Sequence, residues 1–131
     1  MAVIELTQDN FESTVSDPTH KMVVVDFWAP WCGPCRTFAP VFEQTSNQYQ
    51  GVLFGKVNTE EQQNLAGYFQ IRSIPTLMIL RESVILHTQA GALPASAFAK
   101  LLDQLLAVNM AEIHQQIAQE QAATAKNPPT A

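Results

Sequence analysis

The chain has 131 residues, of which 47% are hydrophobic and 15% charged. That suits one globular domain whose core needs no disulfide staples. Its formal net charge of −5 comes without a basic stripe, which argues against nucleic acid and against an anionic membrane surface as partners. The longest apolar runs, near Met22–Val25 and Leu77–Leu80, are too short to span a bilayer. The opening MAVIELTQDN lacks the basic n-region and apolar stretch of a secretory signal, so a cytoplasmic location is expected.

The predicted elements alternate strand and helix, the pattern of an α/β domain. Ile4–Leu6 reads as a weak strand. Asp9 and Glu12 have capping-box spacing for a short helix ending before Asp17-Pro18. Met22–Trp28 is a continuous apolar run broken only by Asp26, the mark of a central strand covered on both faces. After a turn at Ala29-Pro30, a helix is expected from about Pro34 to Tyr49, kinked by Pro40. Leu53–Asn58 is a second inner strand. Thr59 and Gln62 suggest another capping box, opening a helix to about Phe69.

Thr76–Leu80 and Val84–Ala90 read as a hairpin, although Arg81-Glu82-Ser83 carries no Asn-Gly or Asp-Gly signal and leaves the turn type open. Pro94 suits the first turn of a final helix. Phe98, Leu101, Leu102, Leu105 and Leu106 give that helix an apolar face. Met110, Ile113 and Ile117 continue it at helical spacing, so a single helix to about Gln121 is expected, with Thr124–Ala131 a frayed end. The extra stripe reads either as packing of a long helix or as a seam for a partner.

Cys32 and Cys35 are the only cysteines. A four-residue loop gains little entropic stabilisation from closure, so a structural staple explains them poorly. The pair is redox-active or half of a metal site. No histidine completes a four-ligand set, which disfavours the metal. The pair follows a buried strand and opens a helix. There the backbone N–H groups of a helix N-terminus would face Cys32 and favour its thiolate, the reacting form. Cys35, one turn further on, shares a face with Cys32 and should be the more buried. Cys32 is therefore the expected attacking sulfur.

Three separated stretches now bear on the family. Val25-Asp26-Phe27-Trp28-Ala29-Pro30-Trp31-Cys32-Gly33-Pro34-Cys35 resembles thioredoxin. So do Ile71-Arg72-Ser73-Ile74-Pro75-Thr76 and Gly91-Ala92-Leu93, in the same order and spacing over roughly residues 3–108. The resemblance implies a thioredoxin fold, with a central mixed β-sheet flanked by helices on both faces. It divides the chain into a thioredoxin domain over residues 1–108 and a helical extension with a frayed tail over 109–131. It implies no bound cofactor or metal, a reversible Cys32–Cys35 disulfide, and a cis peptide before Pro75. The expected activity is reduction of partner-protein disulfides, with electrons from a flavin-containing thioredoxin reductase. A monomer is expected.

The resemblance also assigns residues. Asp26 matches a buried carboxylate that assists proton transfer at Cys35, and Lys56 a lysine near it. Trp28, Trp31, Gly33, Pro34, Ile74, Pro75, Gly91 and Ala92 match the surface that receives substrate. Read from the residues alone, Asp26 could face water on an edge strand, although its apolar neighbours favour burial. Lys56 alone reads as a solvated strand residue, Trp28 as a core aromatic, and Pro75 as an ordinary trans proline. His20, His87 and His114 are scattered and take no role. The departures from the family pattern are the turn at Arg81–Ser83, which lacks the family's usual glycine, and the tail beyond about Val108.

Thiolate chemistry alone is a weak source of rate. Lowering a thiol pKa from about 8.5 to about 7, the value of thioredoxin itself, raises the thiolate at pH 7 from roughly 3% to roughly half. Lower basicity then costs about fivefold in nucleophilicity, which leaves a gain of about threefold. Docking and leaving-group quality must contribute as much. Relatives that oxidise or isomerise tend to carry a histidine between the cysteines. Gly33-Pro34 adds no charge, so reduction is favoured over oxidation. A scaffold role through the apolar patch or the tail is the reading from another functional class.

Overall fold

The computed structural model describes residues 3–126. In chain order it contains β1 (Val3–Glu5), α1 (Phe11–Val15), β2 (Met22–Trp28), α2 (Gly33–Ser46) and β3 (Val52–Asn58). Then follow α3 (Gln63–Tyr68), β4 (Thr76–Arg81), β5 (Val84–Ala90), α4 (Ala95–Leu106) and α5 (Met110–Lys126). The strand order across the sheet is β1-β3-β2-β4-β5. β1, β3 and β2 run parallel, whereas β4 is antiparallel to both β2 and β5. The sheet is therefore mixed, as the resemblance implies.

β2 lies at the centre of the sheet, and six of its seven residues are buried. Alternation along the strand sends its side chains to two separate cores. Val23, Val25 and Phe27 pack with Phe11 of α1 and Leu65 of α3. Met22 and Val24 pack on the other face with Phe38 and Phe42 of α2 and Phe98 and Leu102 of α4. Four phenylalanines knit that second core, with ring centroids 5.4 Å apart for Phe38 and Phe98 and 5.9 Å for Phe42 and Phe98. Asp26 falls on the α2 side by the same alternation.

Several local expectations change. The N-cap of α1 is Asn10, not Asp9, and its Oδ1 accepts the Thr7 N–H at 2.7 Å. An Asn that closes its own preceding turn competes with the expected capping box. The Thr59/Gln62 box is absent for a similar reason: Thr59 Oγ1 donates to the Trp28 carbonyl at 3.1 Å. α3 begins only at Gln63, without a side-chain cap. α2 is shorter than expected at its C-terminal end, and Pro40 lies inside it, removing one backbone donor.

The hairpin forms, with Arg81 paired to Val84. Glu82 and Ser83 take φ of 53° and 65°. Positive φ at both central residues is what a type I′ two-residue turn requires, here supplied by non-glycine residues at a conformational cost.

The single long helix does not form. α4 ends at Leu106, where the Arg81 guanidinium Nη1 donates to the carbonyls of Leu105, Leu106 and Val108 at 3.1, 3.2 and 2.8 Å. Those carbonyls would otherwise seek the next helical turn, so one side chain stops the helix. Asn109 then starts α5 by accepting the Glu112 N–H at 3.2 Å. Met110 is buried, and His114 Nε2 lies 2.8 Å from Glu82 Oε1. The two segments that the sequence reading set apart, the turn and the tail, thus touch each other. α5 runs to Lys126, into the expected frayed segment, and residues 127–131 lie outside the described residues.

Gly55 sits in β3 opposite Ile4 of β1, and a Cβ there would collide with the Leu6 side chain. Gly55→Ala should lower the urea midpoint. Overpacking costs about 1–3 kcal/mol, whereas the stiffer unfolded chain returns about 0.4–1 kcal/mol. An unchanged or higher midpoint would mean that Leu6 yields freely.

Candidate active site

The cysteines sit where β2 ends and α2 begins. Cys32 is the N-cap of α2, in extended conformation, and its Sγ accepts the Cys35 N–H at 3.2 Å. Pro34 lies in the first turn, where a missing N–H costs nothing. The two cysteines form a disulfide with Cα atoms 5.2 Å apart. Both are buried, Cys32 at 5% exposure and Cys35 at 2%. Burial alone therefore separates them little. Their neighbours separate them better.

Cys32 faces the substrate-binding residues expected from the resemblance. Its Sγ is 3.7 Å from the Ile74 carbonyl. Ile74-Pro75 is cis, as the resemblance implied and base rates opposed. The Gly91 N–H donates to the Pro75 carbonyl at 2.8 Å, and Gly91 takes φ of 98°, open to glycine without strain. That bond brings Gly91 and the exposed Ala92 to the same end of the sheet. Trp28, Ala29 and Ile74 pack around the two cysteines. Gly33 has open space where a side chain would project, and Trp31 is 64% exposed.

Cys35 faces inward. It lines a cavity of about 300 Å3 with Asp26, Trp28, Lys56, Arg36 and Phe42. Asp26 is 4% exposed, and its Oδ1 accepts no hydrogen bond from the protein. Loss of water without a replacement donor disfavours the anion, and its carboxyl is pushed up from 3.8 to about 7, with the Lys56 charge pulling the other way. Lys56 is paired with Asp26 in the β2–β3 register. Its ammonium rests 5.0 Å from the centre of the Trp28 ring, a cation–π contact, and makes no ion pair with Asp26. Lys56 is thus half-buried against an aromatic, not a free surface residue.

Sequence reasoning missed the segment after β3. Thr59 donates to the Trp28 carbonyl from both its N–H, at 2.8 Å, and its hydroxyl. Glu60 Oε1 accepts the Trp31 indole N–H at 2.6 Å. Arg36 Nη1 also donates to the Pro30 carbonyl at 3.1 Å, fixing the loop before the cysteines. The spacing of Thr59 and Gln62 looked like a helix start, which hid these contacts. Among the described residues no cluster of three His, Cys, Asp or Glu side chains could hold a metal ion, and no helix is long and apolar enough to cross a membrane.

A dithiol pair capping a helix at the end of a mixed sheet, facing a cis-proline, defines a thiol–disulfide oxidoreductase. The sequence profile of the thioredoxin family matches residues 2–104. A thioredoxin 2 relative from Streptomyces coelicolor is 46% identical over 121 residues, covering 92% of this chain and 89% of its own. The thioredoxin of Chlorobaculum thiosulfatiphilum is 43% identical over 101 residues, covering 76% and 93%. Among solved structures, a thioredoxin of Malassezia sympodialis superposes with a TM-score of 0.72 at 34% identity, covering 82% of this chain and 96% of its own. The chain belongs to the thioredoxin family. It is a protein dithiol–disulfide oxidoreductase that works through a reversible Cys32–Cys35 disulfide and no bound cofactor. The family implies a thioredoxin reductase as electron donor and protein disulfides as acceptors. The Streptomyces match covers so much of this chain that it must reach into α5, beyond the family profile.

Burial of Asp26 sets a pH dependence of stability. The folded carboxyl titrates near 7 and the unfolded one near 3.8, so between them the folded state binds more protons. The stability present below about pH 4 is lost as the pH rises to about 7. Asp26→Ala removes that loss at the cost of a small cavity. Its unfolding free energy relative to the wild type, taken from denaturant titrations, should rise between about pH 5 and about pH 8 by roughly 2–3 kcal/mol. A constant difference over that range would show that Asp26 is not a raised-pKa group.

Proposed function

We propose that this chain reduces disulfides of partner proteins, with Cys32 as the attacking sulfur and Cys35 as the resolving one. The observation that carries this reading is the asymmetry of the pair. Cys32 caps α2 beside the Ile74 carbonyl, and Cys35 opens on the cavity with Asp26. In the reduced protein the Cys35 N–H and the α2 N-terminus would favour a thiolate on Cys32.

That thiolate attacks one sulfur of the partner disulfide. A Cys32–partner bond forms, and the partner's other sulfur leaves as a thiolate that takes up a proton. The Cys35 thiol then gives its proton to the Asp26 carboxylate and attacks Cys32 Sγ. The Cys32–Cys35 bond closes and the partner leaves with both sulfurs reduced. A base titrating near 7 is suited to this transfer at neutral pH. Lys56 moderates the Asp26 carboxyl through its charge. Trp28, Trp31, Gly33, Pro34, Ile74, Pro75, Gly91 and Ala92 form the surface that receives the partner. Reductase returns the pair to the dithiol by supplying two electrons.

The rest of the reading follows from that role. A reductant needs a reducing compartment, so the protein is assigned to the cytoplasm. The thioredoxin domain comprises residues 1–108, and 109–131 is an appendage, a division supported by the end of the family profile and the break before Met110. The protein acts as a monomer, because the burial of Met110 within its own chain shortens the stripe left for a seam.

Cys35→Ser should trap mixed disulfides with cellular proteins, seen on a non-reducing gel and released by thiol. Stronger trapping by Cys32→Ser would reverse the assignment of the two sulfurs. Truncation after Val108 should leave the rate of disulfide reduction unchanged but lower stability by about 2 kcal/mol, because Met110 no longer covers its neighbours. A large loss of rate with the fold intact by circular dichroism would place the tail in the reaction.

A further inference from the structure

We propose that Glu60 is a positioning residue that holds Trp31 as a fixed wall beside Cys32 and so favours the docking of protein disulfides over small ones. The proposal rests on the docking role given above to Trp31. Trp31 directly precedes Cys32 and is 64% exposed, yet its indole N–H is held by the Glu60 carboxylate at 2.6 Å. An exposed indole N–H can be satisfied by water, so burial does not demand this bond. The contrast with Trp28 is direct: its buried Nε1 has no protein partner. The carboxylate is spent on the exposed tryptophan, where its effect is to select one orientation.

Glu60 is itself anchored. Its N–H donates to Asn58 Oδ1 at 3.0 Å, and its carbonyl accepts from Gln63 Nε2 at 3.2 Å. Thr59 ties the same segment to the Trp28 carbonyl through two hydrogen bonds. The segment from Asn58 to Gln63 is thus tied to both tryptophans that precede the cysteines. A charged acceptor on an anchored backbone makes a short, directional bond. A side chain ordered before docking removes an ordering cost from the complex. A protein partner contacts the whole wall. A small disulfide meets only the sulfur.

The test compares Glu60→Ala with Glu60→Gln, which keeps an acceptor oxygen. Reduction of insulin and of bis(2-hydroxyethyl) disulfide is followed with dithiothreitol as the reductant, and the Trp31 indole N–H by NMR. Glu60→Ala should raise KM for insulin roughly three- to tenfold with kcat unchanged. The rate on the small disulfide should stay the same, and exchange of the indole proton should quicken. Glu60→Gln should recover most of both effects. Equal losses on the two substrates, no change in KM, or a Gln variant as impaired as the Ala variant would overturn the proposal. A wild-type protein that left insulin intact would count against the reductase reading itself, and indole exchange would then decide the Glu60 claim alone.

Discussion

Everything at the site depends on β2 being covered on both faces. A strand hydrogen-bonded to β3 on one side and β4 on the other, and packed between two helical layers, has no wet surface to offer. An aspartate in that strand must either ionise without water or stay protonated. Its carboxyl titrates near neutrality because no donor in the protein replaces the lost water. The same burial fixes where the strand can end. β2 emerges at Trp28, and the four-residue turn to Gly33 leaves Cys32 little choice but to cap α2.

The rest of the site is assembled by loops that reach the same end of the sheet. The cis peptide before Pro75 opens β4, the glycine at 91 closes β5, and the segment after β3 straps the tryptophans. They are registered by backbone hydrogen bonds such as Gly91 to Pro75 and Thr59 to Trp28. The scaffold supplies rigidity and the loops supply chemistry, a division common in α/β folds.

The parts legible in the sequence were those with a period or a motif. The apolar run at Met22–Trp28, the hairpin and the α/β alternation follow from side-chain patterning, and they appear close to where the pattern puts them. The cis bond and the half-buried place of Lys56 against Trp28 were legible only through resemblance, because a proline and a lysine look alike in either setting. What escaped was which backbone group each polar side chain takes as its partner. Asn10 and Thr59 have the right chemistry for several hydrogen bonds, and spacing cannot say which one wins. The tail shows the same limit. Its apolar spacing continues through Val108, but Arg81, remote in sequence, takes the carbonyls that would have carried the helix on.

That guanidinium also decides how mechanical load enters the molecule. Arg81 ends β4 beside the start of β2, since Leu80 pairs with Val23. Cys32 lies beyond the other end of β2, a strand of seven residues, or about 23 Å at 3.3 Å per residue. A partner caught on Cys32 and an object held by α5 near His114 would therefore pull at opposite ends of adjacent antiparallel strands. The force would run lengthwise along the β2–β4 ladder and load its hydrogen bonds together, in shear, instead of opening them one at a time. Attachment through the first turns of α5 leaves the cysteine face free and places tension where the sheet is best built to bear it.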